Sequence, residues 1–302
     1  MILKLFVLFF FIAANAFAQG DFTGLKKING VSLFISIRGS GEPLLVLHGG
    51  PGLNHSYFLP FLAKLEEKYR VIYYDQRACG RSTTPSADSI SMKFLVDDIE
   101  AIRKEFNITK LNILAHSWGA VLATHYASQH PDKIQRFIYS NPTMLSREYD
   151  QEAAALVKRK TTPADSVERA RIFGSGTLDP KKFDELLRIS FRISAYDRAN
   201  MSKLKLNLPL NFLEANRALF TGLSKDPSFN SDMYKVLPSF RFPVLIIHGA
   251  SDVLPPSSIE RLKKGLPVST YILFSKSGHF PFVEETQRYN EVVLKFLKEG
   301  GG

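Results

Sequence analysis

Leu111-Asn112-Ile113-Leu114-Ala115-His116-Ser117-Trp118-Gly119 is the stretch on which the fold is decided. Leu111 to Leu114 is a short apolar run of the kind a buried strand presents, and Gly119 to Ser128 reads as a helix. Ser117 therefore stands where strand gives way to helix. A serine held on such a sharp turn exposes its hydroxyl above the sheet, and small residues two before and two after it let the strand and helix backbones approach closely. Ala115 and Gly119 hold those positions, with Ala115 in place of the first glycine of a G-x-S-x-G pattern.

Working outward, Val31 to Ile37 and Pro43 to Leu47 read as strands, the second bounded by Gly41 and Gly49. Phe58, Phe61, Leu62 and Leu65 recur at helical spacing, Val71 to Tyr74 is a strand, and Met92 to Phe106 is an amphipathic helix. Phe137 to Tyr139 is a further strand. The strand Pro243 to Ile247, the helix Ser257 to Lys264, the strand Thr270 to Phe274 and the helix Glu285 to Leu297 continue the rhythm. Such alternation implies an α/β fold with a mostly parallel sheet and helices on both faces. From Leu145 to Ser239 the alternation stops. The segments there read as helices: Glu148 to Lys160, Val167 to Phe173, Pro180 to Ser194 behind an Asp179 cap, and Asn211 to Phe220. The expected organisation is an α/β core in two parts, 19–144 and 240–302, interrupted by a helical cap at 145–239 placed to act as a lid over a cleft.

Composition bounds the function. With 302 residues, 45% hydrophobic and 23% charged, the chain buries a sizeable core. Lys4 followed by the apolar run Leu5 to Ala14 and the small residues of Ala16-Phe17-Ala18 reads as a signal peptide over residues 1–18. The run is too short to span a bilayer, so the expectation is an exported chain, periplasmic or secreted, with no membrane span after cleavage. The formal charge is +10, but the basic residues are scattered. Their densest cluster, Lys158-Arg159-Lys160, reads as a solvated helix face, and no nucleic-acid partner is expected. Cys79 is the only cysteine, which excludes an intrachain disulfide; it reads as a small buried filler. The seven histidines form no HExxH or Cys/His ligand pattern, so no metal and no cofactor is expected.

A serine hydroxyl is a poor nucleophile at neutral pH and requires a positioned base, itself oriented by an acid. Asp252 lies just past the strand from Pro243, and His279 just past the strand from Thr270. In an open parallel sheet the carboxyl ends of strands share one edge, so Ser117, Asp252 and His279 can converge as a catalytic triad. Two backbone donors are needed for a developing oxyanion. Trp118 N–H, opening the helix after the serine, is one. The other falls in His48-Gly49-Gly50-Pro51-Gly52, where Gly50 is chosen over Gly49. His116 reads as structural, and Asp75 and Arg77 as a pair that stabilises their loop.

His48-Gly49-Gly50-Pro51-Gly52, Asp75-Gln76-Arg77-Ala78-Cys79-Gly80-Arg81-Ser82 and His116-Ser117-Trp118-Gly119 together resemble the proline iminopeptidase (prolyl aminopeptidase) family of α/β hydrolases. The likeness extends over nearly the whole mature chain. It implies a helical cap after the sixth strand, metal-free chemistry, and removal of N-terminal residues, often proline, from short peptides. Ala78 and Ala115 depart from the family's usual glycines, and with Trp118 as the only tryptophan the cap lacks the family's Trp-and-Glu signature. An aminopeptidase needs a carboxylate beside the substrate amine. Among the cap acids Glu148, Asp150, Glu152 and Glu214, the apolar surroundings of Glu214 nominate it as the substrate-binding acid. Phe212 and Phe220 are candidates for a pocket wall, although packing within the cap accounts for them more simply. The competing activity is that of an esterase, lactonase or carbon–carbon bond hydrolase with the same triad, which needs no such carboxylate. A noncatalytic binding protein is disfavoured by the complete triad, and an aspartate-nucleophile hydrolase by the serine at the turn.

Overall fold

The computed structural model describes residues 21–266 and 268–299; the expected signal peptide lies outside the described residues. Eight strands form one sheet there, in the order β1-β2-β4-β3-β5-β6-β7-β8. They are β1 (Phe22–Ile28), β2 (Val31–Arg38), β3 (Glu42–Leu47), β4 (Tyr69–Tyr74), β5 (Leu111–Ser117), β6 (Ile134–Pro142), β7 (Val244–Gly249) and β8 (Thr270–Phe274). β2 runs antiparallel to both β1 and β4, whereas β4, β3 and β5 to β8 are mutually parallel. Apart from the edge strand β8, which buries only Phe274, the parallel strands are nearly all buried residues, because helices cover both faces.

The period-2 alternation of side chains divides the interior into two cores. Leu45, Leu47, Ile113, Ala115, Phe137 and Tyr139 face a core closed by α2 (Met92–Glu105) and α3 (Trp118–Gln129). Leu44, Val46, Leu114, Ile138, Leu245 and Ile247 face the other, which is closed by α1 (Ala63–Glu66) and the C-terminal helices. The helical spacing from Phe58 to Leu65 does not become one helix. Pro60 lacks the N–H that a continuous ladder needs, and the segment divides into a 3-10 turn, His55–Phe58, and the single turn α1.

Between β6 and β7 the regular helices are α4 (Asp150–Lys160), α5 (Pro163–Gly174), α6 (Pro180–Ile193) and α7 (Phe212–Ser224). Thr162 and Asp165 form a capping box on α5, and the Asp179 carboxylate accepts from Lys182 N–H to start α6. Ile172, Ile189 and Ile193 give this insertion a small core of its own. Its last segment, the 3-10 helix Met233–Ser239, packs instead into the main core through Met233, Tyr234 and Leu237. After β7 come α8 (Pro256–Gly265), α9 (Pro281–Glu284) and α10 (Thr286–Lys298). Among the described residues no helix is long and apolar enough to cross a membrane.

Candidate active site

Ser117 has φ +53° and ψ −124°, a conformation that non-glycine residues rarely adopt and that turns its side chain out at the carboxyl edge of the sheet. The small neighbours are required by packing. A Cβ on Gly119 would lie 2.6 Å from Leu47 O, and one on Gly49 would lie 2.8 Å from Ser117 Cβ. Helix α3 can therefore start directly behind β3 only because residue 119 has no side chain.

The loops after β7 and β8 bring the other two side chains to the serine. His279 Nε2 stands 3.0 Å from Ser117 Oγ, and His279 Nδ1 stands 2.8 Å from Asp252 Oδ2. The same Oδ2 accepts from Asn141 Nδ2 at 2.8 Å, while Oδ1 accepts from the N–H groups of Val253 and Leu254 at 2.7 and 3.3 Å. Burial by itself would raise the Asp252 carboxyl. The imidazoles of His279 and His248 and the Asn141 amide outweigh it and hold the group at about 2. With Asp252 ionised, Nδ1–H donates to the carboxylate and Nε2 is left to accept the serine proton.

A second network fixes the walls. Gly49 N–H donates to Tyr57 Oη at 2.5 Å, Tyr57 O–H to His116 Nδ1 at 2.8 Å, and His116 Nε2–H to the His279 carbonyl at 2.8 Å. Burial and the neighbouring His279 keep the His116 imidazole neutral, well below its usual titration range, as this arrangement of donors demands. Gly49 is thus committed to Tyr57, and Gly50, with φ +126°, lines the cavity with Ser117. Gln76 joins the glycine loop to the start of α3. It receives Trp118 Nε1–H at 3.1 Å, gives Nε2–H to the His48 carbonyl at 2.7 Å, and its own N–H reaches His48 Nε2 at 3.0 Å.

Several expectations need correction. Asp75 and Arg77 both stabilise their loop but are not partners. Asp75 accepts from His55 and from Arg81 N–H, and Arg77 makes two bonds to Asp98, at 2.6 and 3.0 Å. Glu214 is exposed and does not line the cavity, since the face of α7 turned inward carries Phe212, Asn216 and Phe220. Those two phenylalanines are therefore wall residues. Lys160 is not solvated decoration: its ammonium reaches the Ser251 carbonyl, beside Asp252, and the Ala195 carbonyl. Cys79, by contrast, is the buried filler expected from the sequence, and burial pushes its thiol up, away from reactivity.

The cavity over Ser117 measures about 330 Å³. Phe183, Leu187, Phe191, Phe212, Phe220 and Phe280 make most of its wall, and Ser190, Ser194 and Asn216 are the polar side chains contributed by the insertion.

A strand-to-helix serine with its histidine and aspartate at later strand ends defines a class, and the sequence pattern described as alpha/beta hydrolase fold matches residues 42–286. The chain belongs to that family. It is 30% identical to the proline iminopeptidase of Lactobacillus delbrueckii subsp. bulgaricus over 278 residues, covering 84% of this chain and 89% of that one. The proline iminopeptidase of Clostridium botulinum is 28% identical over 271 residues, covering 86% and 91%. Within the family the protein is accordingly a prolyl aminopeptidase-like hydrolase. The crystal structure of VinJ superposes with a TM-score of 0.71 at 20% identity, over 91% of this chain and 98% of that one, a likeness of fold.

Proposed function

We propose that the protein hydrolyses acyl bonds through a covalent intermediate on Ser117. The observation that carries this reading is the single imidazole placed between the Ser117 hydroxyl at 3.0 Å and the Asp252 carboxylate at 2.8 Å. His279 accepts the serine proton as Oγ attacks the acyl carbon, and the imidazolium so formed is stabilised by Asp252. Gly50 and Trp118 N–H groups receive the oxyanion. His279 then protonates the leaving group, and a water activated by the same imidazole releases the acid. The names of the relatives make an N-terminal aminoacyl bond the first substrate to try. The uncharged cavity wall favours a second, an ester or amide without a free amine.

In the test, a 4-nitrophenyl ester is mixed rapidly with the enzyme. A burst of nitrophenolate equal to the enzyme concentration is expected, and Ser117→Ala should abolish both burst and turnover while the melting transition stays cooperative. An alanine variant that retains wild-type turnover would refute the assignment. Export is a further part of the proposal, resting on the pattern of residues 1–18; mass spectrometry of the mature chain should find its N-terminus near residue 19.

A further inference from the structure

We infer that the pocket selects acyl groups that carry no charge, so that the substrate class is neutral esters or amides of small apolar acids rather than peptides with a free N-terminal amine. This rests on the acyl-enzyme reading of Ser117 and concerns only what that site accepts.

The cavity has three serines, two histidines, a tyrosine, an asparagine and hydrocarbon on its walls, but among the described residues that line it there is no carboxylate and no lysine or arginine. The acids of the triad loops and of the insertion considered for this role are either committed elsewhere or exposed. Asp252 is held by His279, Asn141 and two backbone N–H groups. Glu284 accepts from the N–H groups of Tyr196, Asp197 and Gly278 at 2.9, 2.8 and 2.6 Å. Glu148 pairs with Arg261, Glu152 accepts from Ser257, and Glu214 is exposed on the outer side of α7.

The serines that the insertion brings to the wall supply no anion either. Ser190 Oγ already accepts from Arg169 Nη2 at 3.1 Å while donating to the Leu186 carbonyl at 3.1 Å, and Ser194 donates to the Ser190 carbonyl at 2.9 Å. The polar side chain left over is Asn216, whose Oδ1 is buried with no hydrogen-bond partner. It is neutral, and suited to an N–H or O–H of an uncharged substrate.

An ammonium entering this cavity gives up its water and finds no anion in return, which is the costly way to bury a charge. It also faces a second cation as the reaction proceeds, because attack by Ser117 turns His279 into an imidazolium on the wall of the same cavity. A methylene in place of the amine meets neither obstacle and adds buried apolar area against Phe191, Phe212 and Phe280.

The test compares the 4-nitrophenyl esters of proline and of cyclopentanecarboxylic acid, which share ring size and leaving group and differ by one charge. At pH 7, kcat/KM is expected to be at least tenfold higher for the cyclopentane ester. Asn216→Asp, which places a carboxylate on the wall, should shift the ratio at least tenfold toward proline. A wild-type preference for the prolyl ester overturns the proposal, and so does a ratio that Asn216→Asp leaves unchanged. Ser117→Ala serves as the blank for both esters. Turnover surviving in it would instead sink the acyl-enzyme reading, so the two failures are told apart.

Discussion

Asn141, the penultimate residue of β6, has φ +43°, a conformation that asparagine tolerates better than most side chains, and its amide joins two carboxyl-edge loops by donating to Asp252 Oδ2 and to the Gly278 carbonyl. It is not among the residues that line the cavity; it holds the carboxylate that orients His279. A hydrogen bond to a charged group contributes about 1.5–3 kcal/mol, so Asn141→Ala should lower kcat by roughly tenfold or more with KM nearly unchanged. Asn141→Asp sets like charges together, and the acid limb of its kcat/KM profile should move to higher pH than in the parent enzyme. A pH profile that does not move in Asn141→Asp would assign this residue to folding alone. Ser117, Asp252 and His279 were legible in sequence because each follows a recognisable strand. Nothing in the sequence around Asn141 marks it, since its role exists only once β6 and β7 lie side by side. Glu214 was misread for the complementary reason. Helical geometry puts it about 200° from Phe212, so a residue in an apolar segment can still lie on the outward face.

At the level of elements, the insertion is keyed to the histidine loop by close backbone contact. A Cβ on Gly278 would lie 1.9 Å from Ser194 O at the end of α6, the same carbonyl that accepts His279 N–H at 2.9 Å. Gly278→Ala must separate these two segments. Overpacking of this kind costs about 1–3 kcal/mol. The variant should melt several degrees lower, and it should lose at least about tenfold in kcat because the shift falls on the loop that carries the His279 ring. Differential scanning calorimetry and steady-state kinetics on one preparation would show both, and an unchanged kcat would mean that the loop relaxes without moving His279. Long periodic elements such as α2, α6 and α10 could be read from the sequence almost to their ends. The antiparallel edge strand β1 could not. Its Leu25 points out to solvent while Lys26 is half-buried, so the alternation that announces a strand is reversed.

For the molecule as a whole, stability should depend on acid in two windows. Burial lowers His48 from 6.5 to about 4, against an opposing pull from Asp75, and lowers His125 from 6.5 to about 4, against Asp226. Because both are neutral in the fold and bind protons more readily once unfolded, their contribution is complete above about pH 6.5 and is lost as the pH falls toward 4. A shift of that size is worth on the order of 3 kcal/mol at most for each group. Asp252, lowered from 3.8 to about 2, adds a second loss between about pH 4 and 2. The melting temperature is therefore expected to be level above about pH 6.5 and to fall steadily below it. His125→Leu should make the first part of that fall shallower, and an identical slope in this variant would locate the proton uptake elsewhere.

The insertion also leaves and re-enters the body of the protein at one place, for Met233 N–H donates to the Leu145 carbonyl at 2.8 Å. Everything from Ser146 to Asp232 is thus an excursion whose two ends already touch. Such a segment is a natural unit for transplantation: a chimaera spliced at this bond would keep the reactive groups while importing another substrate-recognising surface. Among the features the graft must bring are a carbonyl in the place of Ser194 O to receive His279 N–H, a cation in the place of Lys160 to hold the Ser251 carbonyl, and apolar side chains in the places of Leu204, Leu219 and Leu223, which pack into the two cores of the body.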